Sequence, residues 1–190
     1  LELLYCHNFP NIFRTKKKDE IKLIQNKALE LSLFLSIPAT IALIIASEQI
    51  ISALFGYGSF DEDGVKNSAK ALFYFSTGLP AFALIKVFSS FFFARHNTKI
   101  PFYISLISVL LNILISVFYF KSVGFIIIPI ATSISSWFNS IILFIFLKKK
   151  NFFSFNLLFV SRFIRILIAS TMMALIFNYL INFFYENLSY

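Results

Sequence analysis

The chain has 190 residues, of which 58% are hydrophobic and only 14% charged, with a mean hydropathy of +0.81 and a net charge of +8. A soluble domain carries about 45–50% apolar and about 25% charged residues, and one this small has proportionally more surface to cover. The composition excludes an ordinary water-soluble enzyme and a disordered chain, and leaves an integral membrane protein. Residues 1–27 are the least hydrophobic part, with Arg14, Lys16, Lys17, Lys18, Lys22 and Lys27 set against Asp19 and Glu20. They read as a basic cytoplasmic segment and not as a signal peptide, because no apolar h-region with a small-residue cleavage site follows. The first span is expected over about 28–46, with Glu30 at its inner end and a kink at Pro38. Ser47 then reads as the N-cap of a short amphipathic turn, Glu48 to Phe55, followed by a polar loop of Gly56, Gly58, Asp61, Glu62 and Asp63.

The second span covers about 69–93, with a break at Gly78, Leu79 and Pro80. A short loop with Arg95 and Lys99 leads into the third span, which runs from Pro101 to Phe120. A tight turn, Lys121 to Gly124, precedes a fourth span over about 125–147, which Lys148, Lys149 and Lys150 stop. Residues 148–165 read as a basic, interfacial linker of alternating aromatic and polar residues. The fifth span covers about 166–184, and a short tail follows to residue 190. The fold class is therefore all-α, a polytopic bundle of about five transmembrane helices whose lengths suit a hydrocarbon core of about 30 Å. Alternating the loops puts thirteen of the 17 Lys and Arg on one side and three on the other, with Lys86 inside a span. The positive-inside rule makes the N-terminus cytoplasmic and, after five spans, the C-terminus external. The same rule assigns the net charge to cytoplasmic loops and not to nucleic acid.

Catalytic chemistry finds no support. The five glycines form no phosphate-binding loop, no paired carboxylates lie within a span, and no nucleophile–base set can be assembled. The single cysteine, Cys6, anchors neither an internal disulfide nor a metal cluster. What remains are polar groups inside spans. Lys86 either snorkels toward the headgroups, with Arg95 about 13 Å away at helical rise, or faces an anionic substrate or a carboxylate on another helix. Asn112 and Ser116 share a face of the third span, and Thr132, Ser133, Ser135 and Ser136 lie in the fourth. Antiparallel packing of these two helices brings Asn112 toward Thr132 near mid-membrane. An interhelical hydrogen bond is the plainer reading of that approach, and cation coordination by uncharged oxygens the sharper one. Trp137 reads as a packing residue.

One stretch resembles a known family. Residues 69–101, AKALFYFSTGLPAFALIKVFSSFFFARHNTKIP, resemble the signature of the MurJ/MviN lipid II flippases of the MOP (MATE-like) superfamily. The match rests on Tyr74, Ser76, the Gly78, Leu79, Pro80 break, the run Leu84, Ile85, Lys86, Val87, then Phe93, Ala94, Arg95, Thr98, Lys99 and Pro101. Upstream, the segment IISALFGYGSF at 50–60 is similar to an external segment of the family, and the resemblance extends over about 11–185. It implies a fourteen-helix protein of two six-helix lobes around a central cavity plus two further helices. The five spans would then be helices nine to thirteen, part of the C-lobe, without the N-terminal lobe and its cationic cavity residues. Leu1 in place of an initiating Met fits such a partial reading frame.

The implied activity is translocation of lipid II, a lipid-linked peptidoglycan precursor, across the bacterial inner membrane by alternating access. The implied partners are lipid II or a related polyprenyl-diphosphate glycolipid, the bilayer and the absent lobe. Lys86, Arg95 and Asn112 are the candidate substrate or cavity residues. Asn112, Ser116 and Thr132 match a Na+ position of some relatives, where Ser116 stands in place of the expected carboxylate. No cofactor is expected, with coupling to Na+ or to membrane potential. The alternatives are a flippase for another polyprenyl-linked glycan, a MATE-like drug exporter, or an inactive truncated membrane protein.

Overall fold

The computed structural model describes the backbone of residues 2–56, 61–154 and 157–188, and the side chains of 20–56, 61–154, 159–181 and 183. Seven helices follow one another, and among the described residues there is no strand: α1 (Glu2–Ile45), α2 (Ser47–Phe55), α3 (Glu62–Ser76), α4 (Leu79–Phe93), α5 (Lys99–Val123), α6 (Ile127–Lys149) and α7 (Leu157–Leu188). Four stretches are long and apolar enough to cross a membrane: 20–45, 62–93, 99–149 and 159–181. The third of these folds back at Gly124 (φ +74°) through a 3-10 turn, Gly124–Ile126, so the chain has five spans. Gly58 and the residues around it lie outside the described residues.

Local chemistry sets most helix ends. Asp61 is the N-cap of α3, its carboxylate accepting from the Gly64 N–H at 2.9 Å, with Glu62 and Asp63 in the first turn. The acidic cluster expected as loop is thus the start of a helix, because carboxylates both cap and complement the helix N-terminus. Ser47 does not cap α2. It is already helical, Ala46 takes the cap position, and the Ser47 hydroxyl turns back toward the Ile44 carbonyl at 3.4 Å. α1 continues through Pro38 to Ile45. α7 begins at Leu157, so its helix takes in the second half of the stretch expected to be interfacial; Val160, Ile164, Leu167 and Ile168 recur at helical spacing.

α4 and α5 are joined by a turn that ends α4 in a Schellman motif. Asn97 N–H donates to Phe92 O at 3.1 Å, His96 N–H donates to Phe93 O at 2.9 Å, and His96 sits at φ +54°. α6 ends in the same way: Phe152 N–H donates to Leu147 O at 2.9 Å, Asn151 N–H to Lys148 O at 3.0 Å, and Asn151 lies at φ +53°. Each motif satisfies carbonyls that the end of a helix leaves open.

The helices form a layered row. α6 packs on α5, α4 and α3; α4 lies between α6 and α1; α7 flanks α1 at the far edge. Leu29, Phe88, Phe91, Phe92, Leu143, Leu147 and Phe153 form an apolar core where α4 and α6 end. The rings interlock there, Phe91 stacking on Phe153 at 5.9 Å and Phe88 tilting against Phe144 at 5.9 Å. Elsewhere the distribution is that of a membrane protein. Ser76, Ser108, Ser133, Ser135, Ser136, Asn139, Ser140 and Ser170 are buried, while Phe102, Leu110, Val117, Phe118, Leu175 and Tyr179 are more than half exposed. Lipid is as apolar as Leu, so burying Leu against another helix gains little. Small and hydroxylated residues instead let the backbones approach and tie helices together.

Candidate functional site

The strongest polar constellation lies between α5 and α6. The Asn112 amide donates to Thr132 Oγ1 at 3.1 Å and to Ser135 Oγ at 3.3 Å, and its carbonyl oxygen accepts from Ser116 Oγ at 3.3 Å. Thr132 and Ser135 pass their own protons to backbone carbonyls, Ile128 O at 2.8 Å and Thr132 O at 3.0 Å. The approach of Asn112 to Thr132 expected from the hairpin is therefore present, and Ser116 and Ser135 complete it. The same face carries a second rung two turns toward the other end, where Asn139 Nδ2 donates to Ser105 Oγ at 3.4 Å. The seven-residue spacings from Ser105 to Asn112 and from Thr132 to Asn139 are the sequence signal for that rung. The groups around Asn112 are matched donor to acceptor, whereas the buried Asn139 oxygen has no partner among the described residues. The Asn112 oxygen is engaged by Ser116 and does not converge with the hydroxyls on one point, which is the arrangement a cation requires.

Lys86 lies on the exposed side of α4, in line with Ser90 and Phe93, one turn and two turns further along. No hydrogen bond or ion pair to Lys86 occurs among the described residues, so it joins neither Asn112 nor Arg95 in a network. An ammonium without a partner part-way along an apolar helix is costly in lipid.

Arg95 is placed differently from Lys86. At the end of α4 it donates to Phe91 O at 2.9 Å and to Phe152 O at 2.7 Å, and its guanidinium lies over the Phe152 ring, 4.5 Å from the centroid. With the Gln25 amide oriented to satisfy both groups, Gln25 donates to Phe152 O at 3.2 Å and accepts from Arg95 Nη1 at 3.2 Å. Asn26 adds a bond from its amide to Ser154 O at 3.1 Å. Burial pulls the Arg95 guanidinium below its ordinary value, and the ring of carbonyl acceptors replaces the water it loses. The arrangement is a clamp holding the 150–154 linker onto α1 and α4.

Several ties are absent from the sequence reading. Glu30, expected only at the inner end of the first span, pairs with Arg162 of α7 at 2.9 Å. Trp137 is 40% exposed and is more than a packing residue, because its indole donates to Thr77 O at 3.0 Å. Ser133 donates to Tyr74 O at 2.7 Å, so two side chains of α6 satisfy carbonyls at the α3–α4 elbow. Gly78 is required at that elbow: a Cβ there would stand 2.9 Å from Ser133 Oγ and 3.2 Å from Ser133 Cα. Among the described residues no group of three or more His, Cys, Asp or Glu is placed to hold a metal.

Membrane-length helices, hydroxyl ties between them and a broken second span define a segment of a polytopic membrane protein. Residues 8–190 match the family model described as "Lipid II flippase MurJ". A probable lipid II flippase MurJ of Rickettsia prowazekii is 34% identical over 145 residues, covering 75% of this chain and 29% of that protein. One from Rhizobium tropici is 32% identical over 174 residues, covering 90% of this chain and 33% of the relative. A solved structure titled "Lipid II flippase MurJ, inward closed conformation" superposes with a TM-score of 0.67 at 26% identity, over 91% of this chain and 41% of that one. The chain belongs to the lipid II flippase MurJ family, a family of membrane transporters. It spans about a third of the length of the curated relatives it matches.

Proposed function

We propose that this chain forms part of one lobe of a bacterial inner-membrane flippase that moves lipid II from the cytoplasmic to the external face by alternating access. The observation that carries the reading is Lys86, exposed on a membrane-length helix and without a partner among the described residues, within the 8–190 match to the family. A cation so placed suits the wall of a polar cavity through which a diphosphate passes, and the opposite wall would come from the N-terminal lobe. Transport of this kind needs binding and rocking but no bond-making, so the chain is read as a transporter component and not as an enzyme. The thirteen-to-three split of basic residues supports a cytoplasmic N-terminus and an external C-terminus. The closed hydrogen-bond set around Asn112 favours a helix–helix tie over Na+ binding, and leaves membrane potential as the driving term for a cationic cavity.

The test uses the full-length protein carrying this segment in a host depleted of its own flippase, and measures lipid II exposed on the outer face of the inner membrane. Exposure is expected to track the protein, and Lys86→Ala to lower it while the amount of membrane-inserted protein is unchanged. Normal exposure without the protein, together with accumulation of a different polyprenyl-linked glycan, would make the cargo that glycan.

A further inference from the structure

At the end of the bundle where α1 gives way to α2, a cleft of about 260 Å³ opens between the start of α2 and the stretch of α3 from Lys66 to Tyr74. Ser47 and Glu48 line it from α2, and Lys66, Lys70, Phe73 and Tyr74 line it from α3. Its volume lies just below that of drug-sized ligand sites, which begin at about 300 Å³. The arrangement along α3 is ordered. The helix starts at the capping Asp61, Lys66 and Lys70 follow one turn apart, and the aromatic pair lies one turn deeper, Phe73 edge-on to Tyr74 at 5.4 Å. That is a charged rung followed by an aromatic rung, the order in which headgroups and acyl chains meet a membrane protein.

The charges in the cleft do not neutralise one another. Lys66 reaches Glu62 at 3.9 Å, with both side chains more than half exposed. Among the described residues, no ion pair joins Glu48 to Lys66 or Lys70, and Lys70 has no acidic partner. Two ammonium groups and a separate carboxylate thus share one opening at the membrane surface. A simple anion would be served by the lysines and repelled by Glu48. A ligand with a phosphate and a primary ammonium joined by a short linker satisfies both, and its acyl chains lie along Phe73.

We propose that this cleft binds the headgroup of an aminophospholipid, its phosphate held by Lys66 and Lys70 and its ammonium by Glu48. The proposal requires only that the chain lies in a membrane, and it stands independently of the cargo assigned above. Phosphatidylethanolamine meets the requirement. Phosphatidylglycerol lacks the ammonium and offers Glu48 only neutral hydroxyls.

The test is native mass spectrometry of the purified full-length protein, given equal amounts of phosphatidylethanolamine and phosphatidylglycerol. One phosphatidylethanolamine is expected to be retained preferentially. The Lys66→Gln/Lys70→Gln double variant is expected to lose about tenfold or more in retention, the weight of one charge-assisted hydrogen bond. Glu48→Gln is expected to abolish the preference between the two lipids, and Lys121→Gln, a charge removed elsewhere, to change nothing. Unchanged retention in the double variant would overturn the site. Displacement of the lipid by an equal concentration of inorganic phosphate would overturn the lipid assignment in favour of a free anion. A photoreactive phosphatidylethanolamine on the wild-type protein gives a reading that depends on no variant. Crosslinks within 47–74 are expected, and crosslinks confined to other helices would sink the proposal.

Discussion

At the scale of single residues, the polar groups inside this bundle differ in how completely they are matched. Asn112 is matched in full: both roles of its amide are used by Ser116, Thr132 and Ser135. Interhelical hydrogen bonds of this kind contribute about 0.6–2 kcal/mol in a membrane, because the separated helices also find partners. Asn112→Ala is therefore expected to lower stability by about that amount, read as a lower unfolding midpoint in detergent, while Asn112→Ser recovers part of it. Retention of full stability with loss of transport would give Asn112 a role in cargo or ion handling instead.

Arg95 is the opposite case, a cation whose partners are all main-chain oxygens, an amide and a ring. Lysine carries the charge but not the planar fork, so it does not span Phe91 O and Phe152 O while lying flat on the ring. Arg95→Lys is expected to behave almost like Arg95→Ala and to cost about 1.5–3 kcal/mol. Faster protease cleavage within 150–156 would report the released linker. Wild-type resistance of both variants would argue that Gln25 and Asn26 hold the linker alone.

At the scale of elements, two helices end in the left-handed conformation without glycine, at His96 and Asn151. Asn tolerates this conformation better than most side chains, and β-branched residues tolerate it least. Asn151→Gly is expected to be neutral or slightly stabilising, and Asn151→Val to cost about 1–2 kcal/mol. The pair is separated by thermal unfolding of the two variants side by side. Equal midpoints would mean that the linker has another route out of α6.

The α3–α4 elbow and the α5–α6 hairpin were legible from Gly78, Pro80 and Gly124, because backbone chemistry at these positions depends on local sequence. Helix starts were less legible. Asp61 caps α3, but Ser47, an equally competent residue type, is already inside α2, because where α2 starts depends on where α1 stops, which packing determines.

On the scale of the whole molecule, α7 is the least embedded of the membrane-length helices, with Ile166 and Ser170 its only buried residues among those described. Its packing is against α1, reinforced by the Glu30–Arg162 pair. Both side chains keep substantial exposure, so screening limits the pair to about 0.2–1 kcal/mol. A double-mutant cycle of Glu30→Gln and Arg162→Gln is expected to return a coupling in that range. A coupling of several kcal/mol would show that this pair, and not van der Waals packing, fixes α7 in place.

The sequence alone determined that the chain crosses a membrane, how many times, where two of its helices break, and which family it resembles. The first three follow from composition, span length and backbone chemistry, which act over a few turns of helix, and the resemblance rests on the residues of the 69–101 stretch. Only the tertiary structure decided which polar side chains meet. Glu30 and Arg162 lie 132 residues apart, Arg95 and Phe152 lie 57 apart, and Ser133 and Tyr74 lie 59 apart. No local pattern encodes such pairings, because in lipid they are selected by how closely helix backbones approach. That approach is set by small residues such as Gly78 and the serines of α6, acting across helices. Asn112 and Thr132 were the exception. A hairpin with a short turn fixes which residues lie opposite, so this one long-range contact could be read from spacing.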